Sequence, residues 1–136
     1  MVNSSPIQPF LKKFGVLLLD GGLATELEKM GFDINSHLWS AQLLDSNPEA
    51  IKKVHLAYLK AGANCIISAS YQASIPGFIS KGFSENEAKF LIESSVTLAN
   101  EACDEYMGNS GEILRPLVAA SIGPYGAYLA NGAEYN

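Results

Sequence analysis

Three short apolar runs, each of strand length, are separated by longer stretches in which apolar residues recur at helical spacing. An unbroken apolar run is typical of a strand buried on both faces, as in parallel sheets. The alternation of strands and helices favours parallel pairing with right-handed crossovers, and hence an α/β fold. We predict parallel strands near Val16–Asp20, Cys65–Ser68 and Leu117–Ser121, and we expect the first to be buried on both faces.

The predicted helices have recognisable starts. The first covers residues 23–30 and stops at a glycine, which suits the position just after a helix. Asn47 and Pro48 predict the start of a second helix, as N-cap and first helical residue. Ser84 and Glu87 have the spacing of a capping box, which predicts the start of the longest helix.

The segment of residues 32–40 shows no clear periodicity and is predicted to be a loop. It carries Trp39, the one tryptophan of the chain. Because loops are mostly polar and exposed, we expect this side chain either to fill a core or to line a pocket. The pattern alone leaves both alternatives open.

Composition narrows the class of protein. The chain has 136 residues, which predicts a single domain, and a formal net charge of −5 with a pI near 4.9. An acidic chain without a basic stripe is not expected to bind nucleic acid, and no stretch is apolar enough to predict a membrane span. The N-terminal residues lack the pattern of a secretory signal, and the two cysteines suggest neither a disulfide framework nor a metal site. We therefore expect a cytoplasmic protein without a membrane partner.

Candidate chemistry begins where the first strand is predicted to end, at Asp20, Gly21 and Gly22. The glycines allow a sharp turn and a close approach of ligand to backbone. The carboxylate and the amides of the turn together suit a zwitterion, with Asp20 facing an ammonium group and the amides a carboxylate. Alternatively, Asp20 is only the N-cap of the next helix and the glycines only a tight turn.

The other two predicted strands also end in polar or aromatic groups, Ser70 with Tyr71 after the second and Ser121 with Gly123 and Tyr125 after the third. In α/β folds, ligands bind at the carboxyl ends of parallel strands. Three strand ends that carry such groups therefore favour a site at this edge of the sheet, although they do not identify a reaction.

Four motifs in this order resemble the homocysteine S-methyltransferases, most closely the branch that uses S-methylmethionine or S-adenosylmethionine as donor. They are Asp20-Gly21-Gly22 with Thr25-Glu26-Leu27, then Leu38-Trp39-Ser40, then residues 68–73 (SASYQA), then residues 121–126 (SIGPYG). The resemblance implies a (β/α)₈ TIM barrel, of which residues 1–136 would be an N-terminal fragment of about three β/α units. It does not distinguish between the two donors.

The resemblance also implies a reaction. In that family a zinc ion, held by three cysteine thiolates, binds homocysteine, whose thiolate takes a methyl group from a sulfonium donor and becomes methionine. The resemblance places Asp20, Gly21 and Gly22 at the amino-acid end of homocysteine. It places Trp39 and Tyr71 in the wall of the substrate and donor pocket, where an aromatic face suits a sulfonium cation.

The chain departs from the family in its cysteines, because the family's zinc ligands lie in the C-terminal half. Cys65 falls inside a predicted strand and Cys103 on an apolar helix stripe, so we expect both in the core and assign no metal ligand and no catalytic residue in this chain. His55 is expected at the surface or at the edge of the core. His37 lies two residues before Trp39, but neither histidine has a partner at metal-binding spacing, and we assign neither a role in the site. We expect the chain alone to be inactive; the alternative is a small non-catalytic α/β domain that binds a ligand or partner.

Overall fold

The computed structural model of the protein describes residues 5–34 and 39–124, except for the side chains of residues 39–41. In these residues, helices pack against a small parallel sheet. The elements in chain order are α1 (Gln8–Phe14), α2 (Leu23–Lys29), α3 (Trp39–Ser46), α4 (Pro48–Lys60), β1 (Cys65–Ile67), α5 (Ile75–Ser80), α6 (Glu85–Ser110) and β2 (Leu117–Ala119).

The predicted parallel sheet is confirmed. Strand β1 pairs with β2 in parallel, with Ile66 opposite Val118 at the centre of the register. The first predicted strand contributes a parallel bridge between Leu19 and Cys65, and the Asp20 N–H donates to the Cys65 carbonyl at 3.0 Å. The spatial order is therefore the first run, then β1, then β2.

The expectation that Val16–Asp20 is buried on both faces is wrong. Val16 is 61% exposed, Leu18 51% and Leu19 53%. The physical reason is its place in the sheet: within the described residues, this run lies at an edge and pairs with β1 alone. An edge segment with neighbours on one side cannot be covered as an inner strand is.

The helix predictions agree with the structure except at one place. The capping box is confirmed, since Ser84 Oγ accepts from the Glu87 N–H at 3.3 Å and Glu87 Oε2 accepts from the Ser84 N–H at 2.7 Å. Asn47 is the N-cap of α4, although its side chain makes no capping hydrogen bond. Residues 32–40 were predicted to be a loop, but α3 begins at Trp39, and that part of the prediction is wrong.

The core lies where α4 and α6 pack together and against the sheet. Cys65 is 5% exposed and Cys103 is fully buried, which confirms that both are core residues. The expectation of a boundary position for His55 is wrong, because it is 1% exposed. No helix among the described residues has both the length and the apolar character needed to cross a bilayer.

Candidate functional site

Asp20 connects the edge of the sheet to β1. Its Oδ2 accepts from the Ile67 N–H at 2.9 Å. The N-cap of α2 is Gly22, with no side-chain capping bond, so the alternative in which Asp20 caps this helix is wrong. The structure thus uses one carboxylate oxygen of Asp20 to hold a strand, and the other makes no hydrogen bond with the described residues.

The second carboxylate oxygen of Asp20, Oδ1, is buried and has no hydrogen-bond partner among the described residues. Burial raises the pKa of the carboxyl group, and this effect exceeds the opposing effect of the Ile67 N–H and of the residue's own N–H. A buried acceptor without a donor is costly in a folded protein. This oxygen is therefore suited to receive a cationic donor from a ligand.

Asp20 lies in the wall of a cleft of about 290 Å³ at the carboxyl ends of the strands. The structure brings Asp20, Gly21, Gly22 and Tyr71 together in this wall. The Trp39 side chain, His37 and Tyr125 lie outside what the structure describes. The described lining residues are Asp20, Gly21, Gly22, Leu23, Ala24, Ile67, Ser68, Ala69, Tyr71, Gln72 and Ser121.

Tyr58 of α4 stands behind the glycine turn. Its hydroxyl donates to the Gly22 carbonyl at 3.1 Å. A Cβ atom on Gly21 would lie 2.9 Å from Tyr58 Oη, which is closer than such contacts allow. A side chain at position 21 would therefore force either the tyrosine or the turn to move.

Three serines join the ends of β1 and β2 by a closed set of hydrogen bonds. The Ser70 hydroxyl donates to the Ser121 carbonyl at 2.8 Å, and the Ser121 N–H donates to Ser68 Oγ at 2.9 Å. Ser68 Oγ and Ser70 Oγ are 2.7 Å apart. Because the Ser70 proton is already used, the Ser68 hydroxyl must donate to Ser70. This serine ring fixes the two strand ends that form the floor of the cleft.

Two further polar side chains in this region were not singled out from the sequence. Gln72 Oε1 is buried without a hydrogen-bond partner among the described residues, so the cleft contains a second unused acceptor. Tyr58 lies at helical spacing from Ile51 and Val54, which is typical of an apolar helix face, and only its contact with the turn shows its polar role. For the serine ring a signal existed, since Ser68 and Ser70 are two residues apart after a strand.

A metal is not held by the described residues. They contain no group of three histidine, cysteine, aspartate or glutamate side chains that could bind one. Burial raises the pKa of the Cys65 thiol, and it raises the pKa of the Cys103 thiol to about 11, so both favour the protonated form. Neither is suited to act as a thiolate ligand.

The sequence of this chain is similar to those of known proteins. The family model described as homocysteine S-methyltransferase matches residues 17–136. Homocysteine S-methyltransferase YbgG of Bacillus subtilis is 52% identical over 134 residues, an alignment that covers 96% of this chain and 42% of the relative. Homocysteine S-methyltransferase 2 of Zea mays is 57% identical over 127 residues, which covers 90% of this chain and 38% of the relative.

A solved structure also matches. The homocysteine methyltransferase MmuM of Escherichia coli, in its metallated form, is 50% identical with a TM-score of 0.90, covering 96% of this chain and 46% of that one. The chain thus spans about two-fifths of the length of the curated relatives that it matches.

Proposed function

The chain belongs to the homocysteine S-methyltransferase family, and from this premise we propose that it is the amino-acid-binding, N-terminal part of a (β/α)₈ barrel enzyme. The whole enzyme would make methionine by methyl transfer from a sulfonium donor to homocysteine. The parallel order of the first run, β1 and β2, with helices between them, supports the first three units of such a barrel. A cytoplasmic location belongs to the same proposal.

The observation that carries the proposal is the free oxygen of Asp20. Oδ1 lies buried in a residue that lines the cleft, while Oδ2 is fixed by the Ile67 N–H. An amino-acid ammonium group supplies both a positive charge and N–H donors. Its arrival would favour the ionised carboxylate and satisfy the unused acceptor together.

Other described residues of the cleft suit the carboxylate of homocysteine and the sulfonium donor. Gly21 and Gly22 line it, so that backbone rather than side chains would meet the carboxylate of homocysteine. Tyr71 lines the same cleft and is 47% exposed, which leaves its ring accessible to a sulfonium cation. Trp39, proposed for the same wall, has its side chain outside the described residues. S-Methylmethionine and S-adenosylmethionine both remain candidate donors.

Zinc belongs to the proposal only for the whole enzyme. The described residues do not fit such a metal, since they contain no suitable group of three ligands and both cysteines are buried as thiols. The E. coli relative has been solved in a metallated form. We therefore place the zinc ligands outside these 136 residues, and no step of the reaction is assigned to a metal here.

The proposal is tested by calorimetric titration of residues 1–136 with L-homocysteine and with 4-mercaptobutanoate, which lacks only the amino group. We expect homocysteine to bind more tightly, by roughly ten- to a hundredfold, since a hydrogen bond to a charged group contributes about 1.5–3 kcal/mol. Asp20→Asn should remove this preference. Asp45→Asn, the same change of charge at an exposed residue of α3, should keep it. Equal affinity of the unchanged chain for both ligands would contradict the proposal.

A second measurement concerns activity. Residues 1–136, supplied with homocysteine and either sulfonium donor, should form no methionine, because the described residues contain no set of ligands for a metal that would ionise the thiol. An ordinary thiol has a pKa near 8.5 and is mostly protonated at neutral pH. Turnover by the purified chain would show that the thiol is activated within it.

A further inference from the structure

Tyr58 touches the glycine turn with both its hydroxyl and its ring. The hydroxyl donates to the Gly22 carbonyl at 3.1 Å, whereas the first hydrogen bond of α2 to the same carbonyl, from the Glu26 N–H, is longer at 3.4 Å. A Cβ on Gly21 would lie 3.1 Å from Cε1 and 3.2 Å from Cζ of the ring, in addition to its close contact with Oη. The turn therefore rests directly against the tyrosine.

The tyrosine itself is firmly held. It belongs to α4, a helix of 13 residues, and packs against two hydrophobic clusters of the core, the first around Ile51 and Phe78 and the second around Leu59 and Ile66. Val54 and Leu59, on the same helix, are fully buried. In contrast, the turn joins an edge segment of the sheet to α2, a helix of seven residues. The contact thus ties a weakly supported turn to a well-packed helix.

The phenol remains a donor under ordinary conditions. Burial raises the pKa of Tyr58, and the nearby Glu26 carboxylate raises it further. The hydroxyl proton is therefore retained at neutral and mildly alkaline pH, and the Gly22 carbonyl keeps its partner there.

We propose that Tyr58 is a positioning residue of the substrate cleft: through its hydroxyl and its ring it fixes the Gly21–Gly22 turn, and so sets the wall against which the amino acid binds. This inference rests on the proposed function. Tyr58 does not line the described cleft and acts through the turn. A turn that is already ordered before binding loses less freedom when a ligand arrives, which favours affinity.

The test compares two matched substitutions in residues 1–136. Tyr58→Phe removes the hydroxyl and keeps the ring. Tyr106→Phe makes the same change at a half-buried tyrosine of α6 that packs only on the second cluster. We expect Tyr58→Phe to raise the Kd for L-homocysteine about three- to tenfold, at a temperature where both variants are folded, and Tyr106→Phe to leave it unchanged.

Gly21→Ala is the second variant and approaches the same contact from the other side. Its methyl group would displace the tyrosine, so it should also raise the Kd. In the Tyr58→Phe background it should have a smaller effect, because the nearest atom is gone. If Tyr58→Phe does not fold, Gly21→Ala is measured alone, and a Kd equal to that of the unchanged chain would overturn the inference.

The outcomes are distinguishable. If the unchanged chain shows no preference for homocysteine over 4-mercaptobutanoate, the proposed function fails, and the inference fails with it. If that preference is present but Tyr58→Phe binds as tightly as the unchanged chain, the inference alone is overturned. A merely structural tyrosine would lower the unfolding temperature and leave the Kd unchanged, which would also overturn it.

Discussion

Replacing His55 by leucine should make the protein less sensitive to acid. His55 is 1% exposed, and neither ring nitrogen has a hydrogen-bond partner among the described residues. Burial lowers its pKa from 6.5 to about 4, with no charged neighbour among the causes. The native state therefore resists protonation of this ring, while the unfolded chain accepts the proton freely.

The difference between the folded and unfolded pKa values of His55 sets the direction in which stability changes with pH. Between about pH 6.5 and pH 4 the unfolded state binds more protons, so the free energy of unfolding falls as the pH falls through this range. The gap between the two pKa values corresponds to about 3 kcal/mol when fully developed. At about pH 5 the loss is about 2 kcal/mol relative to neutral pH.

Urea unfolding, followed by circular dichroism at about pH 5 and about pH 7.5, measures this loss. His55→Leu should retain about 2 kcal/mol more of its stability between these two conditions than the unchanged chain does. Asp20, whose pKa is raised, changes stability in the opposite direction on acidification, but it is present in both proteins and cancels. An equal loss in both proteins would refute the assignment of a neutral, buried histidine.

Three further predictions use the same chain. Ser70→Ala should lower the free energy of unfolding by about 1–2 kcal/mol, because it opens the serine ring, and urea unfolding should show this. Ser84→Ala should cost about 1 kcal/mol through loss of the capping box. Ser94→Ala, which removes only a hydroxyl bonded within its own helix, is the control for both and should cost less. Cys65 and Cys103 should react with a thiol reagent slowly in the native chain and rapidly in urea, since both are buried and their pKa values are raised.

Each of these has a clear contrary result. Equal losses in Ser70→Ala and Ser94→Ala would mean that the ring contributes nothing beyond an ordinary helix hydroxyl. If the Ser84→Ala variant is as stable as the unchanged chain, the capping box does not contribute to the free energy of unfolding. Fast reaction of either cysteine without urea would show that its surroundings open readily.

Local signals in the sequence predicted much of the fold. The capping box needs only two residues three positions apart, Ser84 and Glu87, and these two residues mark the start of the helix. The parallel pairing of β1 with β2 follows from the alternation of apolar runs and helices. The capping box is fixed by neighbours along the chain, and the parallel pairing follows from the order of strands and helices, so the sequence pattern was sufficient to predict both.

Features that depend on distant residues were not predictable in this way. The run Val16–Asp20 has the composition of an inner strand, but its exposure depends on how many strands lie beside it. His55 has a polar side chain, yet the packing of α4 against its neighbours buries it. In the candidate site, Asp20 and the glycines carried a recognisable pattern, whereas the part played by Tyr58 depends on a contact between residues 36 positions apart.

The two oxygens of Asp20 limit which residues this position can hold. Asparagine would keep an acceptor for the Ile67 N–H, and so would preserve the link to β1, but it has no charge to offer an ammonium group. Glutamate would keep the charge on a side chain longer by one methylene, so its two oxygens could not both occupy the positions of the Asp20 oxygens at the strand and the cleft. If the proposed function holds, natural variation at position 20 should therefore be confined to aspartate, while a relative that has lost amino-acid binding could carry asparagine there without losing the fold.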